Sequence, residues 1–286
     1  MDIEANAKIL CELFKSDKPF LIGRNGTIEL DVVSRYFFKE HIPDEQKKKL
    51  ELHAGVFPQN HVDDYCFEYL RSLMNADVMA EGWYAPLKMI EQDILDRINK
   101  KRTKILLRNL EPYYVKPELR WTQYLRGRRV AIINSFAKIC EEQTYMPKAI
   151  WGEQSESLLA KTTQWIPIQT YYSPALANGK ATTEWPAPIS SWKEAVDDVV
   201  NRVLTEAVDV AIIGCGGMGM IIGSRLKDHG IQCIVMGGST QLLFGIRGKR
   251  WENHDVISKF FNDAWVTPSD WYRPANYKTI EGGCYW

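Results

Sequence analysis

The stretch VDVAIIGCGGMGMIIGSRLKDHGIQCIVMGGSTQLLFGIRGKRW, residues 208–251, alternates apolar runs with glycine turns. The run at 210–213 ends in a glycine-rich turn, which is typical of a buried parallel strand. A helical pattern then leads to Gly230, and a second apolar run at 231–236 enters another glycine turn. This order predicts a β-α-β unit over about 206–251, with a ligand above the carboxyl ends of its strands.

Glycines that can present backbone N–H groups to a phosphate occur in both turns: Gly214, Gly216, Gly217, Gly219, Gly237 and Gly238. The first turn matches the pattern Gly-x-Gly-x-x-Gly of dinucleotide sites, in which an acidic residue after the next strand holds the ribose. Here that strand runs into Met236 and two glycines, with no acid. The missing acid counts against an enzyme that uses NAD or S-adenosylmethionine, which stays as an alternative. A further alternative is a turn that only packs helix against strand.

A second junction of strand and helix lies near the amino terminus. Residues 20–22 form an apolar run, a polar turn begins at Gly23, and residues 28–38 show helical spacing. In this turn Arg24 is placed to bind phosphate through its planar guanidinium. Glu29 is placed to hold a metal ion or a sugar hydroxyl. The alternative is a surface ion pair between Arg24 and Glu29.

Three further positions combine strand ends or loops with polar side chains. Residues 130–133 form a buried strand, followed by Asn134 and Ser135, which either face a ligand or cap the next helix. Asp77 stands beside a short apolar run, and Glu111 lies in a loop next to two tyrosines.

Composition limits the class of protein. The chain has 286 residues, of which 45% are hydrophobic and 25% charged, and strands alternate with helices throughout. We therefore expect one Rossmann-like α/β domain over residues 1–286, with a mainly parallel sheet and helices on both faces. Lys+Arg and Asp+Glu both number 36, which argues against nucleic acid as a partner.

Location is also constrained by the sequence. No apolar run approaches the roughly 20 residues of a transmembrane helix, so we expect no membrane span. The six cysteines form no Cys-x-x-Cys pair, which indicates reduced thiols and a cytoplasmic protein. The sequence leaves a homo-oligomer open.

Several segments carry a family resemblance. The strongest are GGSTQLLFGI at 237–246, GKRW at 248–251 and EGGCYW at 281–286. Similar in kind are IGR at 22–24 with Glu29, GVFP at 55–58, LEPYY at 110–114 and residues 130–136. Together they resemble, over nearly the whole chain, bacterial and viral glycosyltransferases of the GT-D fold type, which act in polysaccharide biosynthesis.

The resemblance implies transfer of a sugar from a UDP- or GDP-linked nucleotide sugar to a hydroxyl of a glycan or other acceptor. GT-D enzymes are associated with an Asp-x-Glu motif after the first strand, linked to nucleotide-sugar and metal binding. Here Glu29 keeps the glutamate, and Thr27 replaces the aspartate. The resemblance thus implies Mn²⁺ or Mg²⁺ at Glu29, with one anionic ligand fewer. A non-catalytic member that binds a sugar or nucleotide is the third hypothesis.

Glycosyl transfer assigns a role to each candidate. The diphosphate leaving group needs N–H groups or cations, and an inverting enzyme needs a base for the acceptor hydroxyl. The candidate bases are Glu29, Asp77 and Glu111. Outside the two C-terminal turns, the expected nucleotide-sugar-binding residues are Gly23, Arg24, Thr27, Asn134, Ser135, Gln241, Lys249 and Arg250. The alternative for the last two is a structural helix end.

Overall fold

Seven strands form one sheet in which every pair of neighbours is parallel, in a computed structural model that describes residues 2–286. The strands are β1 (Leu21–Gly23), β2 (Val78–Ala80), β3 (Thr103–Ile105), β4 (Arg129–Asn134), β5 (Gln164–Gln169), β6 (Val210–Gly214) and β7 (Gln232–Val235). Their order across the sheet is β3-β2-β1-β7-β6-β4-β5. The expected α/β class with a parallel sheet is confirmed, and the arrangement is consistent with a Rossmann-like fold.

Helices connect these strands, together with short 3-10 turns. They are α1 (Ile3–Lys15), α2 (Thr27–Phe37), α3 (Asp44–Ala54), α4 (Val62–Asn75), α5 (Ala85–Ile98), α6 (Ala137–Gln143), α7 (Pro147–Trp151), α8 (Ser155–Leu158), α9 (Pro174–Ala177), α10 (Trp192–Thr205), α11 (Gly219–Asp228) and α12 (Thr240–Leu243). Within residues 2–286, none of them combines the length and apolar character that crossing a bilayer would need.

The two faces of the sheet are both buried, which explains why its central strands are apolar without alternation. In β6, Ala211 and Ile213 pack with α2, α3, α4, α10 and α11, which we call the first face. Val210 and Ile212 pack with α1, α6, α7, α12 and the C-terminal segment, the second face. Successive side chains of a strand point to opposite sides, so one apolar run supplies both cores.

The connections of the central strands leave the sheet on alternate faces. After β1 and β6 the chain enters α2 and α11 on the first face, and after β7 and β4 it enters α12 and α6 on the second. Neighbouring strands whose connections diverge in this way open a crevice above their carboxyl ends. The predicted β-α-β unit corresponds to β6, α11 and β7, and it forms one side of this crevice.

A glycine in the middle of α11 sets the spacing between this helix and the sheet. A β-carbon on Gly223 would lie 2.7 Å from Cδ1 of Leu21 and 3.3 Å from Cδ1 of Ile213, both of which are fully buried. Close packing against β1 and β6 therefore requires the absence of a side chain at this position.

We expect Gly223→Val to lower the free energy of unfolding by about 1–3 kcal/mol, because an overpacked core must shift to accept the added atoms. Chemical denaturation measures the change. Asn201→Val, at an exposed position of α10, controls for valine in a helix and should stay within about 0.5 kcal/mol of wild type. An unchanged Gly223→Val protein would mean that α11 can move off the sheet without cost.

Candidate functional site

A cavity of about 500 Å³ lies above the carboxyl ends of the central strands. The residue that follows or ends each strand lines it: Arg24 after β1, Gly214 at the end of β6, and Ser135 after β4. Gly237 and Gly238, just beyond β7, complete the floor. Ligands of open α/β sheets bind at this place, because loops from divergent connections meet there.

Two of the turns in the floor begin with backbone N–H groups that have no acceptor within their own turn. Gly216 and Gly237 have φ values of +59° and +65°, a region that favours glycine. Each begins a short 3-10 turn, Gly216–Met218 or Gly237–Ser239, and the first N–H groups of such a turn have no acceptor within it. Successive N–H groups in a turn of this kind can form a concavity suited to an anion.

The predicted glycines divide into lining and packing positions. A β-carbon on Gly214 would lie 2.6 Å from the carbonyl oxygen of Gly237, so the two turns touch each other. Gly217 accepts a hydrogen bond from the Tyr65 hydroxyl at 2.8 Å through its carbonyl, and Gly219 packs on β7. Gly217 and Gly219 do not line the cavity. Gly23 does not line it either, and a side chain added there would overlap Met220. Direct ligand contact by Gly23, Gly217 and Gly219 is therefore corrected to a packing role.

Arg24 is the cavity's uncommitted cation. Of the three arginines that line the cavity, Arg108 pairs with Glu111 at 2.9 Å and Arg250 pairs with Glu281. Arg24 has no ion-pair partner within 4.0 Å among residues 2–286. Its guanidinium is therefore available to a bound anion, to which it can donate two parallel hydrogen bonds.

Glu29 lines the same cavity and is only 9% exposed. It lies in the first turn of α2, whose N-cap Gly26 offers no side chain, and a side chain on Gly26 would overlap the Glu29 carboxylate. Burial raises the pKa of Glu29, against the smaller effects of its own backbone N–H and of Arg24. The alternative of a surface ion pair between Arg24 and Glu29 is wrong, because the carboxylate is buried.

The other two candidate bases lie in different environments. Glu111 lines the cavity and is buried, which raises its pKa, but its Oε2 accepts a hydrogen bond from Arg108. Asp77 precedes β2, so it stands at the amino edge of the sheet and contacts Lys227 at 2.8 Å. The cavity is at the opposite edge, and Asp77 is therefore not part of it.

Of the two predicted basic residues before Trp251, only one lines the cavity. Arg250 lines the cavity, and its guanidinium lies 5.1 Å from the ring centroid of Tyr285. Lys249 is exposed and outside the cavity. The expectation that Lys249 binds the nucleotide sugar is corrected accordingly, whereas Arg250 stands at the rim.

Asn134 and Ser135 line the cavity but are engaged by the protein. The Asn134 Nδ2 donates to the Gly214 carbonyl at 2.7 Å, and its Oδ1 accepts from the Phe136 N–H at 2.8 Å. The Ser135 hydroxyl accepts a hydrogen bond from Tyr172 at 2.9 Å. The capping alternative is wrong, because the N-cap of α6 is Phe136 and no side chain caps this helix. Asn134 instead joins the ends of β4 and β6.

Gln241 is 2% exposed and anchors the C-terminal segment. Its Nε2 donates to the carbonyl oxygens of Arg247 at 3.1 Å and of Tyr285 at 3.2 Å. The expected hydrogen bond from this amide nitrogen to a ligand is therefore replaced by a structural one, which holds Tyr285 against the cavity.

Sequence reasoning missed three residues that line the cavity: His53, Tyr172 and Trp286. His53 lies in the last turn of α3 and lines the cavity, and its buried Nδ1 has no partner among the described residues. Burial lowers its pKa, with a further contribution from Lys49. Tyr172 and Trp286 form part of the wall, with ring centroids 6.0 Å apart. No local pattern marks these residues, since they come from distant segments of the chain.

The described side chains offer few ligands to a divalent metal ion. Across residues 2–286 no group of three or more His, Cys, Asp or Glu side chains is arranged to hold an ion. Thr27 and Glu29 begin α2 beside the cation Arg24, and Glu111 is already paired. Hard divalent cations prefer several oxygen ligands, so this donor set does not fit Mn²⁺ or Mg²⁺ on its own.

Comparisons of the chain with protein-family models, with curated proteins and with solved structures found no match.

The buried Glu29 generates a prediction about stability and pH. Its folded-state pKa is raised above the 4.5 of a free glutamate, so the folded protein holds the proton more tightly than the unfolded chain. The stability that the protonated Glu29 contributes to the folded protein is fully present below pH 4.5. It is lost as pH rises through the folded pKa, because the buried carboxyl then ionises. We expect Glu29→Gln to become more stable relative to wild type as pH rises across this window.

Denaturant titrations over a pH series measure this difference. Glu156→Gln, at an exposed position, controls for removal of one negative charge. A difference between Glu29→Gln and wild type that does not vary with pH would show that the carboxylate carries no burial penalty.

Proposed function

We propose that the chain is a glycosyltransferase that binds a nucleotide-sugar donor in this cavity and transfers the sugar to an acceptor hydroxyl. The observation that carries the proposal is that the two glycine turns at Gly216 and Gly237 and the uncommitted Arg24 line one cavity. A buried carboxylate, Glu29, lines the same cavity. This combination supplies the two kinds of group that glycosyl transfer needs, an anion site and a base.

The anion site would receive the diphosphate of the donor. When the bond between the anomeric carbon and the diphosphate oxygen breaks, the electron pair stays on the leaving group. N–H groups fixed in a turn and a guanidinium stabilise that charge without reorganising. Because the protein's own side chains supply few ligands for a metal ion, the proposed reaction assigns this task to Arg24 and the turns.

Glu29 would accept the proton of the acceptor hydroxyl as its oxygen bonds to the anomeric carbon. A general base works best when its pKa lies near the working pH, and burial moves the pKa of Glu29 in that direction. Glu111 is the weaker candidate, because its hydrogen bond with Arg108 holds it in place and occupies one oxygen.

The volume and the aromatic lining of the cavity suit a nucleotide sugar. Its volume of about 500 Å³ lies within the roughly 300–1,000 Å³ of small-molecule sites. Tyr172, Tyr285 and Trp286 line it and offer flat apolar faces to a base or a sugar. The alternative of an NAD-dependent enzyme lacks the acidic residue that would hold the ribose, because β7 is followed by the fully buried Met236.

Ligand binding tests the assignment. We expect UDP, GDP or their sugar conjugates to raise the thermal midpoint of the wild-type protein, since a ligand of the folded state stabilises it. NAD and S-adenosylmethionine should leave the midpoint unchanged. Arg24→Gln should weaken nucleotide binding by about tenfold or more, because it removes a charge-assisted contact to phosphate.

Lys249→Gln is the matched control. It also removes one positive charge, but Lys249 is exposed and lies outside the cavity. Its nucleotide affinity should equal that of wild type. Stabilisation by NAD alone would refute the proposal, and equal losses in both variants would indicate nonspecific attraction.

Turnover tests the base. With a donor found by the binding screen, we expect Glu29→Gln to lower kcat by about 10²–10⁴-fold, the usual contribution of a general base. Donor affinity should change little, because the amide keeps the size of the carboxylate. If Glu29→Gln retains wild-type turnover while Glu111→Gln loses it, the base is Glu111.

A further inference from the structure

A buried hydrogen-bond network ties the turn after β1 to two helices. The Oδ1 of Asn25 accepts a hydrogen bond from the Tyr69 hydroxyl of α4 at 3.0 Å. The Nδ2 of Asn25 donates to Oε1 of Glu91 on α5 at 2.7 Å. All three side chains are at most 6% exposed. Both polar ends of one asparagine are thus fixed from two directions.

The network is costly to build, which makes stability alone a poor explanation. Burial raises the pKa of Glu91, and the hydrogen bond from Asn25 offsets part of this effect. Gly82 leaves space for the Glu91 carboxylate, which an added side chain would overlap. Well-packed apolar residues often stabilise a core as much as buried polar groups do, whereas hydrogen bonds define a single geometry.

The geometry that is fixed belongs to the anion site. Asn25 stands between Arg24 and Gly26, and both of these neighbours line the cavity. Gly26 contacts the Glu29 carboxylate, and Tyr69 itself reaches the cavity wall. With no ion-pair partner of its own, Arg24 depends on the backbone of this turn for its orientation.

We propose that Tyr69, Asn25 and Glu91 are positioning residues that hold the turn after β1 so that Arg24 meets the phosphates of a bound diphosphate. Asn25 and Glu91 do not line the cavity, so they act on Arg24 without touching the ligand. The inference rests on the proposed function, since it assigns the anion site to Arg24, and it adds the residues on α4 and α5 that make the site rigid.

A matched pair of variants at one position separates the hydrogen bond from the charge. Glu91→Gln keeps an acceptor oxygen and removes the charge, whereas Glu91→Met keeps the length and removes the acceptor. With inorganic pyrophosphate as the probe in calorimetric titrations, we expect Glu91→Met to bind about tenfold more weakly than wild type. Glu91→Gln should bind at least as tightly as wild type, because it removes a negative charge near Arg24.

Two further variants guard against a general loss of structure. Tyr69→Phe deletes the other hydrogen bond with little change in shape and should also weaken pyrophosphate binding, which keeps the test informative if Glu91→Met fails to fold. Thr163→Val removes a buried hydroxyl that donates to the Leu125 carbonyl at 3.1 Å, far from the cavity. It should lower stability and leave pyrophosphate affinity unchanged.

The outcomes distinguish the two proposals. If wild type binds pyrophosphate and Arg24→Gln does not, but Glu91→Met and Tyr69→Phe bind like wild type, the positioning role is wrong and the proposed function stands. If Glu91→Gln and Glu91→Met lose pyrophosphate affinity equally, the charge of Glu91 matters and not its hydrogen bond. This result would also overturn the positioning role. If wild type binds neither pyrophosphate nor any nucleotide, the proposed function fails and the inference fails with it.

Discussion

The pairing of β1 with β7 is the constraint on which the site depends. It brings Leu21 opposite Cys233 and Ile22 opposite Ile234, and so joins strands from the two ends of the chain. Because the pairing is parallel, the turns after both strands emerge at one edge of the sheet. Arg24 and the glycines at 237 and 238 meet there, although more than 200 positions separate them. A shift of this register by one residue would exchange the buried faces of β1 and move Arg24 away from the cavity.

Polar side chains around the cavity divide into those that are paired within the protein and those that are not. The amide nitrogens of Asn134 and Gln241 donate hydrogen bonds to the backbone carbonyls of Gly214 and Arg247. Buried polar groups of this kind need such partners. Arg108 and Arg250 are held by carboxylates. Arg24 and Glu29 are the charged groups left without such partners, and that difference, more than residue type, makes them the candidates for the proposed function.

Much of the fold was predictable because its signals are local. Apolar runs broken by glycine identified β6 and β7, and their order with α11 followed directly. The site was harder, because it depends on which end of a strand a residue occupies and on contacts between distant segments. Asp77 was misplaced because it precedes its strand, and in a parallel sheet that single step puts it at the amino edge. Asn25, Tyr69 and Glu91 lie far apart in sequence, so no spacing rule could have joined them.

Buried acids around one arginine explain why the cavity is built at the expense of stability. Burial raises the pKa of Glu29, Glu91 and Glu111, while Arg24 lowers each of them by a smaller amount. These carboxyls therefore oppose folding when ionised, and a core selected only for stability would replace them with apolar residues. Their common neighbour is the one cavity arginine, among the residues described, that no ion pair holds. In the proposed anion site, this arrangement would preorganise the guanidinium, so that it need not move when the ligand arrives.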